Sequence, residues 1–258
     1  MQFKSVRRAT AVTAMALGAA LMALSACGGP ESGGGAKNGV PGAPGRAAGA
    51  GRAAQPRPAV PVGDPRALPG VGERLHAEIP ADSSQVLAVY GEGEDSADAT
   101  VVLYSLRGDG WRPVGSWPAH NGRNGWSTDH HTGDGRSPVG VFTVTDAGGV
   151  LPDPGTLLSY AHDVDAYAPP YYWDSAHQHD FDYVIAIDYN RLRGAPPHDV
   201  TRPWGAERGG GIWLHLDHGS GTSACVSLSG EAMRFLLRTL DPDRDPVVVM
   251  GDRADLLA

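Results

Sequence analysis

Between residues 85 and 250 the sequence breaks into short runs rich in β-branched and aromatic residues, each closed by Gly, Pro, Asp or Asn. This punctuation constrains the fold more than any other feature. The runs are QVLAVY at 85–90, TVVLYSLR at 100–107, WRPVGSWP at 111–118, VGVFTVT at 139–145, DYVIAIDY at 182–189, GIWLHLD at 211–217, SACVSL at 223–228 and PVVVM at 246–250. Runs of this length and composition between turn residues read as strands. One stretch reads convincingly as helix. Ser229 is placed to cap it and Glu231 lies in its first turn. Ala232, Met233, Phe235, Leu236, Leu237 and Leu240 form an apolar stripe, and Asp241-Pro242 ends it. The predicted fold is mostly β, a β-sandwich or open barrel with one C-terminal amphipathic helix.

The strand pattern begins late, and the start of the chain has another character. Residues 1–27 read MQFKSVRRATAVTAMALGAALMALSAC. A basic start, a short apolar run and Leu24-Ser25-Ala26 before Cys27 resemble a bacterial lipoprotein signal, which implies cleavage before Cys27 and lipidation of its sulfur. The Arg7-Arg8 pair stands alone, without the rest of a twin-arginine signal. From residue 28 to about 70 the composition is Gly, Ala, Pro, Arg and Ser, which cannot bury a core. The expected organisation is a signal peptide at 1–26, lipidated Cys27 with a disordered Gly/Ala/Pro-rich tether at 27–71, and a folded domain at 72–258. About forty residues of such a chain reach on the order of 35–40 Å. That length would hold the domain off the outer face of the cytoplasmic membrane, within the cell envelope.

The chain carries a net charge of −8, and loss of Lys4, Arg7 and Arg8 with the signal leaves −11. An acidic surface disfavours nucleic acid and docking on anionic lipid. Membrane attachment is therefore assigned to the lipid at Cys27. The domain is expected to be a monomer.

Residues 146–181 lack clear periodicity and read as a long loop, a feature that is often functional. Tyr171, Tyr172 and Trp173 within it either pack on the domain or line a groove. The chain has ten histidines, among them His130-His131 and the run His177-Gln178-His179-Asp180. No metal-ligand spacing is evident, so no metal and no cofactor are expected. A Ser-His-Asp hydrolase is disfavoured by the lack of a Gly-x-Ser-x-Gly elbow. Asp188-Tyr189-Asn190-Arg191 reads as a polar strand end.

The chemistry concentrates in GIWLHLDHGSGTSACVSLSG, 211–230. If Cys27 is lipidated, counting excludes an intramolecular disulfide at Cys225, because the chain has two cysteines. Gly219, Ser220 and Gly221 read as a turn between two apolar strands. A hairpin centred on Ser220 sets His215 opposite Cys225, with Cβ atoms about 4.5–5.5 Å apart. A thiol beside an imidazole is a nucleophile with its base. His218 is the rival base, three residues on and nearer the turn.

At this point the residues resemble the L,D-transpeptidase catalytic domain (YkuD-type) family. Its motif of a histidine on an apolar strand followed by Ser/Thr-x-Gly-Cys is matched by His215 and Thr222-Ser223-Ala224-Cys225. GDGRSPVGVFTV at 133–144 is similar to the family's Thr-Pro-x-Gly-x-Phe strand start, with Pro138 and Gly140 at the turn and Phe142 and Val144 entering the core. The resemblance implies that Cys225 attacks the carbonyl of the third residue of a peptidoglycan stem, releases D-Ala, and passes the acyl group to an amine on a neighbouring stem. It implies His215 as general base and acid, and an oxyanion hole from backbone N–H groups near Ser223, Ala224 and Cys225. Thr222 or Ser223 is a candidate to orient the imidazole.

The sequence departs from the family at three points. Ala224 stands where Gly is usual, Ser227 where Arg or Asn is usual, and the His-to-Cys span of ten residues is short. Arg191, Arg193 or Arg208 is a candidate to supply the missing cation from a loop. The alternatives are an L,D-carboxypeptidase that trims stems with water as acceptor, and a non-catalytic envelope-binding lipoprotein with a decayed site.

Overall fold

In the computed structural model, residues 66–258 are described. The expectations for residues 1–65, including the signal peptide, lipidated Cys27 and most of the tether, lie outside them. In chain order the elements are α1 (Glu73–Glu78), β1 (Gln85–Gly91), β2 (Asp98–Arg107), β3 (Gly110–His120), β4 (Trp126–Ser127), β5 (Ser137–Pro138), β6 (Gly140–Thr143), β7 (Asp146–Gly149), β8 (Ser159–His162), β9 (Val184–Ala186), β10 (Trp213–Leu216), β11 (Val226–Leu228), α2 (Gly230–Thr239), β12 (Val247–Asp252) and α3 (Arg253–Leu257).

Ten strands form one mixed sheet in the order β6-β12-β1-β2-β3-β11-β10-β9-β7-β8, and β4 pairs with β5 apart from it. The sheet turns back on itself. Leu87, Val89, Val101 and Leu103 from one half share a core with Ile185, Leu214, Val226 and Leu228 from the other. The alternation of β1 explains why its sequence is apolar throughout. Leu87 and Val89 face that core, while Val86 and Ala88 face a second one under α1 and α3. Leu68 and Val71 are buried in this second core, so folded structure begins a few residues before the expected boundary at 72.

The predicted helix is α2. Ser229 Oγ accepts a hydrogen bond from the Ala232 N–H at 3.2 Å, the N-cap contact expected of it. Ala232, Met233, Leu236 and Leu237 are buried against the main core. Each large side chain there contributes about 1.5–3 kcal/mol by leaving water. Phe235 falls off the stripe: it is partly exposed and lies against Trp117 with ring centroids 5.3 Å apart.

Three local expectations are corrected. α1 and α3 are short helices beyond the single one foreseen, and helices of five or six residues leave little periodic signal. The region 146–181 is not wholly a loop, because β7 and β8 pair in parallel at the sheet edge, Asp146 to Ser159 through Gly149 to His162. β10 and β11 do not form a hairpin. They run parallel, with Leu214 beside Val226 and His215 beside Ser227.

Candidate active site

The parallel register sets the geometry. Leu214, Val226 and Leu228 point into the main core. Alternation therefore sends Trp213, His215, Cys225 and Ser227 to the opposite face. There Trp213 and Cys225 join Tyr167, Phe181, Val184 and Ala186 in a third apolar cluster. His215 is thus level with Ser227, and Cys225 lies one diagonal step away rather than directly opposite.

Backbone contacts fix the sulfur. The Trp213 N–H donates to Cys225 Sγ at 3.2 Å, and the Gly211 carbonyl oxygen lies 3.6 Å from the same atom. Gly211 has φ of 68°, a left-handed conformation that favours glycine, and it turns the chain into β10. Cys225 is in the disulfide state here, and no free thiol is present among the described residues. The chain's other cysteine is Cys27, outside the described residues, so the expected exclusion of a disulfide does not match the state seen.

Two hydroxyls hold the backbone around Cys225. Thr222 Oγ1 donates to the Cys225 carbonyl at 2.7 Å, and Ser137 Oγ lies 2.6 Å from the Ala224 carbonyl oxygen. Ser137 Oγ also accepts from the Gly122 N–H at 2.9 Å. A Cβ on Gly122 would sit 2.6 Å from the Gly135 carbonyl oxygen and the Ser137 nitrogen, so only glycine allows this approach. Sequence reasoning missed Ser137. Its only signal was a hydroxyl in an otherwise apolar strand start.

The imidazole is oriented by the backbone, not by Thr222 or Ser223. His215 Nδ1 lies 2.8 Å from the Leu216 carbonyl oxygen. That acceptor assigns the proton to Nδ1 and leaves Nε2 with a lone pair, buried and without a hydrogen-bond partner. Phe181 meets the ring edge-on at 5.5 Å, and His218 stacks on it at 6.0 Å with planes 13° apart. Burial lowers the His215 pKa to about 4, against the opposing pull of the Asp180 charge and the Leu216 carbonyl. In His218, burial also acts to lower the pKa, but Asp180 outweighs it and the value is raised. A neutral ring with an open nitrogen suits a base, which favours His215 over its rival.

The other predicted residues separate clearly. Ala224 is buried in the main core, and the non-glycine residues with positive φ among those described are Asn190 and Asp245. Ala224 therefore does not occupy a glycine conformation. Ser227 donates to Asp217 Oδ1 at 2.7 Å and is fully buried, so it is tied up within the fold. Ser223 Oγ is 3.4 Å from Arg123 Nη1. Arg191 is not a loop cation for substrate: it is buried between Asp146 and Asp188. Arg193 lies 3.8 Å from Asp188, and Arg208 pairs with Asp129. Tyr171 and Tyr172 are 94% and 73% exposed, whereas Trp173 packs near Phe181 and His177. His177 and Asp180 do converge with a third possible ligand, His218, contrary to the expectation from spacing.

Both dyad residues are inaccessible to solvent, covered by Phe181, Tyr167 and their neighbours. Tyr167 Oη and Trp213 Nε1 are buried without hydrogen-bond partners in the same cluster. An open cleft of about 450 Å³ is lined by Ser127, His130, Pro138, Tyr189, Trp204 and Arg208 among others, none of them a member of that cluster. Pro138 directly follows the Ser137 that holds the Cys225 loop.

Residues 95–249 match the family model of the YkuD L,D-transpeptidase catalytic domain. Comparison with curated proteins gives no match. Among solved structures, one titled "Structure of Bdellovibrio bacteriovorus Bd1075" is similar at 15% identity and a TM-score of 0.35. The match covers 65% of this chain and 47% of that one, so this chain spans about half its length. A likeness this low informs neither fold nor site.

Proposed function

Because the chain belongs to the YkuD family of L,D-transpeptidase catalytic domains, we propose that it transfers acyl groups between peptidoglycan stem peptides through Cys225. The observation that carries this reading is the open, buried Nε2 of His215 on the face that bears Cys225, its tautomer set by the Leu216 carbonyl.

The reaction needs Cys225 as a thiol. His215 Nε2 takes its proton and the sulfur attacks the stem carbonyl. Backbone N–H groups at Ala224 and Cys225 stabilise the oxyanion. The C–N bond to the terminal D-Ala breaks, and His215 returns the proton to the departing amine. A side-chain amine of a second stem then attacks the thioester, gives its proton to His215 and restores the thiolate. The stem approaches from the cleft beside Pro138. A Cys27 sulfur that carries lipid cannot also bridge to Cys225, so in this reading lipidation goes with the thiol form of Cys225 and holds the domain at the outer face of the cytoplasmic membrane.

One observation favours a second reading. Total burial of the dyad, with Cys225 in a disulfide, also suits a non-catalytic envelope-binding protein. The test is incubation of the chain, with a thiol reductant, with disaccharide-tetrapeptide and mass spectrometry of the products, beside Cys225→Ala and His215→Gln. Dimers lacking one D-Ala, lost with Cys225→Ala and reduced roughly 10²–10⁴-fold with His215→Gln, are expected. Tripeptide monomers alone mean a trimming carboxypeptidase. No product from folded, reduced protein overturns the catalytic reading.

A further inference from the structure

The segment covering the dyad carries a cluster that acyl transfer does not use. His177 and Asp180 lie on that segment, and His218 lies just past the end of β10. Asp180 Oδ2 is 2.9 Å from His177 Nδ1 and 3.2 Å from His218 Nδ1. One candidate ligand atom from each of the three falls within 4.8 Å of the others. The side chains of Asp180 and His218 are each 1% exposed. His177 is 12% exposed and gives a route in from solvent.

A hydrogen-bonded His-Asp-His relay is the ordinary explanation for such a group, and it accounts for only one side. His177 makes a well-aligned bond to Asp180. His218 Nδ1 stands slightly farther off, an ion-pair contact at 3.2 Å to the same oxygen that does not form a well-aligned hydrogen bond. Three ligand atoms that converge on one buried carboxylate, one of them poorly aligned for a hydrogen bond to it, are an arrangement that a cation completes. We infer that His177, Asp180 and His218 bind one divalent cation of the zinc class, clipping the segment over Cys225 to the exit of β10.

Two imidazoles and one carboxylate are a ligand set that zinc favours, with a fourth position open to water. Tetrahedral donors about 2.1 Å from the metal stand about 3.4 Å apart. The two separations from Asp180, 2.9 and 3.2 Å, need a small outward adjustment, and the separation between the two imidazole ligand atoms is within 4.8 Å. On binding, the His177 Nδ1 proton moves to Nε2 or to solvent. The His218 ring is stacked on His215, so the cation fixes the neighbour that braces the base. This site stands independently of the acyl-transfer reading, and its test does not use activity.

The experiment dialyses the full chain against a chelator, then titrates Zn²⁺ by calorimetry and follows the melting temperature. It includes Cys225→Ala, to remove sulfur as a ligand, and His179→Ala as a control, since His179 is exposed and outside the cluster. One Zn²⁺ per chain is expected, with a raised melting temperature in the wild type, Cys225→Ala and His179→Ala. His218→Gln and Asp180→Asn are expected to weaken binding at least tenfold. No binding to the folded wild type, or unchanged affinity in His218→Gln, overturns the site. If the variants do not fold, zinc-edge X-ray absorption of the loaded wild type decides. A shell of two imidazoles and oxygen supports the site, and sulfur or a single imidazole overturns it.

Discussion

His215 stands level with Ser227 across a parallel strand pair, which makes Cys225 its diagonal neighbour on the same face. Trp213 is then the residue level with Cys225, and its N–H reaches the sulfur at 3.2 Å. The proposed nucleophile and base are thus set by two strands that are each buttressed from behind by the main core.

Burial lowers the His215 pKa from 6.5 to about 4. The unfolded chain therefore takes up a proton between about pH 6.5 and 4 that the folded chain refuses. Stability is full above this window and falls as pH drops through it, by up to on the order of 3 kcal/mol. Denaturant unfolding at pH 7.5 and 4.5, with chelator present, should show a larger loss for the wild type than for His215→Gln. Equal losses would mean that His215 is not a source of the acid sensitivity.

Ser137→Ala removes the hydroxyl that joins the Gly122 N–H to the Ala224 carbonyl. Both groups belong to buried backbone, so the expected cost is about 1–3 kcal/mol of stability. Because the hydroxyl also positions the Cys225 loop, turnover should fall more than substrate affinity. Thermal unfolding and a kcat against KM comparison check the two parts separately.

Much of the fold was legible because its signals are local. Continuous apolar runs such as QVLAVY mark strands buried on both faces, and Ser229 and Pro242 bracket α2. The pairing of β10 with β11 was not legible. Parallel neighbours usually need a connection of a dozen or more residues, and only residues 217–225 intervene here. Gly219-Ser220-Gly221 therefore read as a hairpin turn. What redirects the chain is remote: Thr222 donates its N–H to Asn121 and accepts from Arg123, which draws the connection out beside Gly122. The same limit hid the role of the Leu216 carbonyl and the meeting of His177 and Asp180 with His218, since each depends on which loop lands on which strand end.

Ala224 tests how a family departure is absorbed. Since it is not in a left-handed conformation, restoring Gly gains no relief from strain. Ala224→Gly is expected to lower stability by about 0.5–1 kcal/mol through added unfolded-state freedom and to leave the reaction intact. A more stable and faster variant would contradict this account of the site.

Arg191 and Arg208 were equal candidates for a substrate cation by sequence, and the structure separates them. Arg191 is sealed between two buried carboxylates, with Nη2 3.1 Å from Asp146 Oδ2 and a second pair to Asp188. Arg191→Ala leaves those charges without their counterion, which typically costs about 3–5 kcal/mol. Its activity loss should follow the unfolded fraction and disappear at temperatures where the variant stays folded. Arg208 is 44% exposed, and its partner Asp129 is 70% exposed, so Arg208→Ala should cost less than about 1 kcal/mol. Arg208 also lines the 450 Å³ cleft, and if stem peptides enter there its loss should raise KM with stability nearly unchanged. Melting curves and steady-state kinetics on both variants give opposite patterns under this assignment, and a raised KM for folded Arg191→Ala would reverse it.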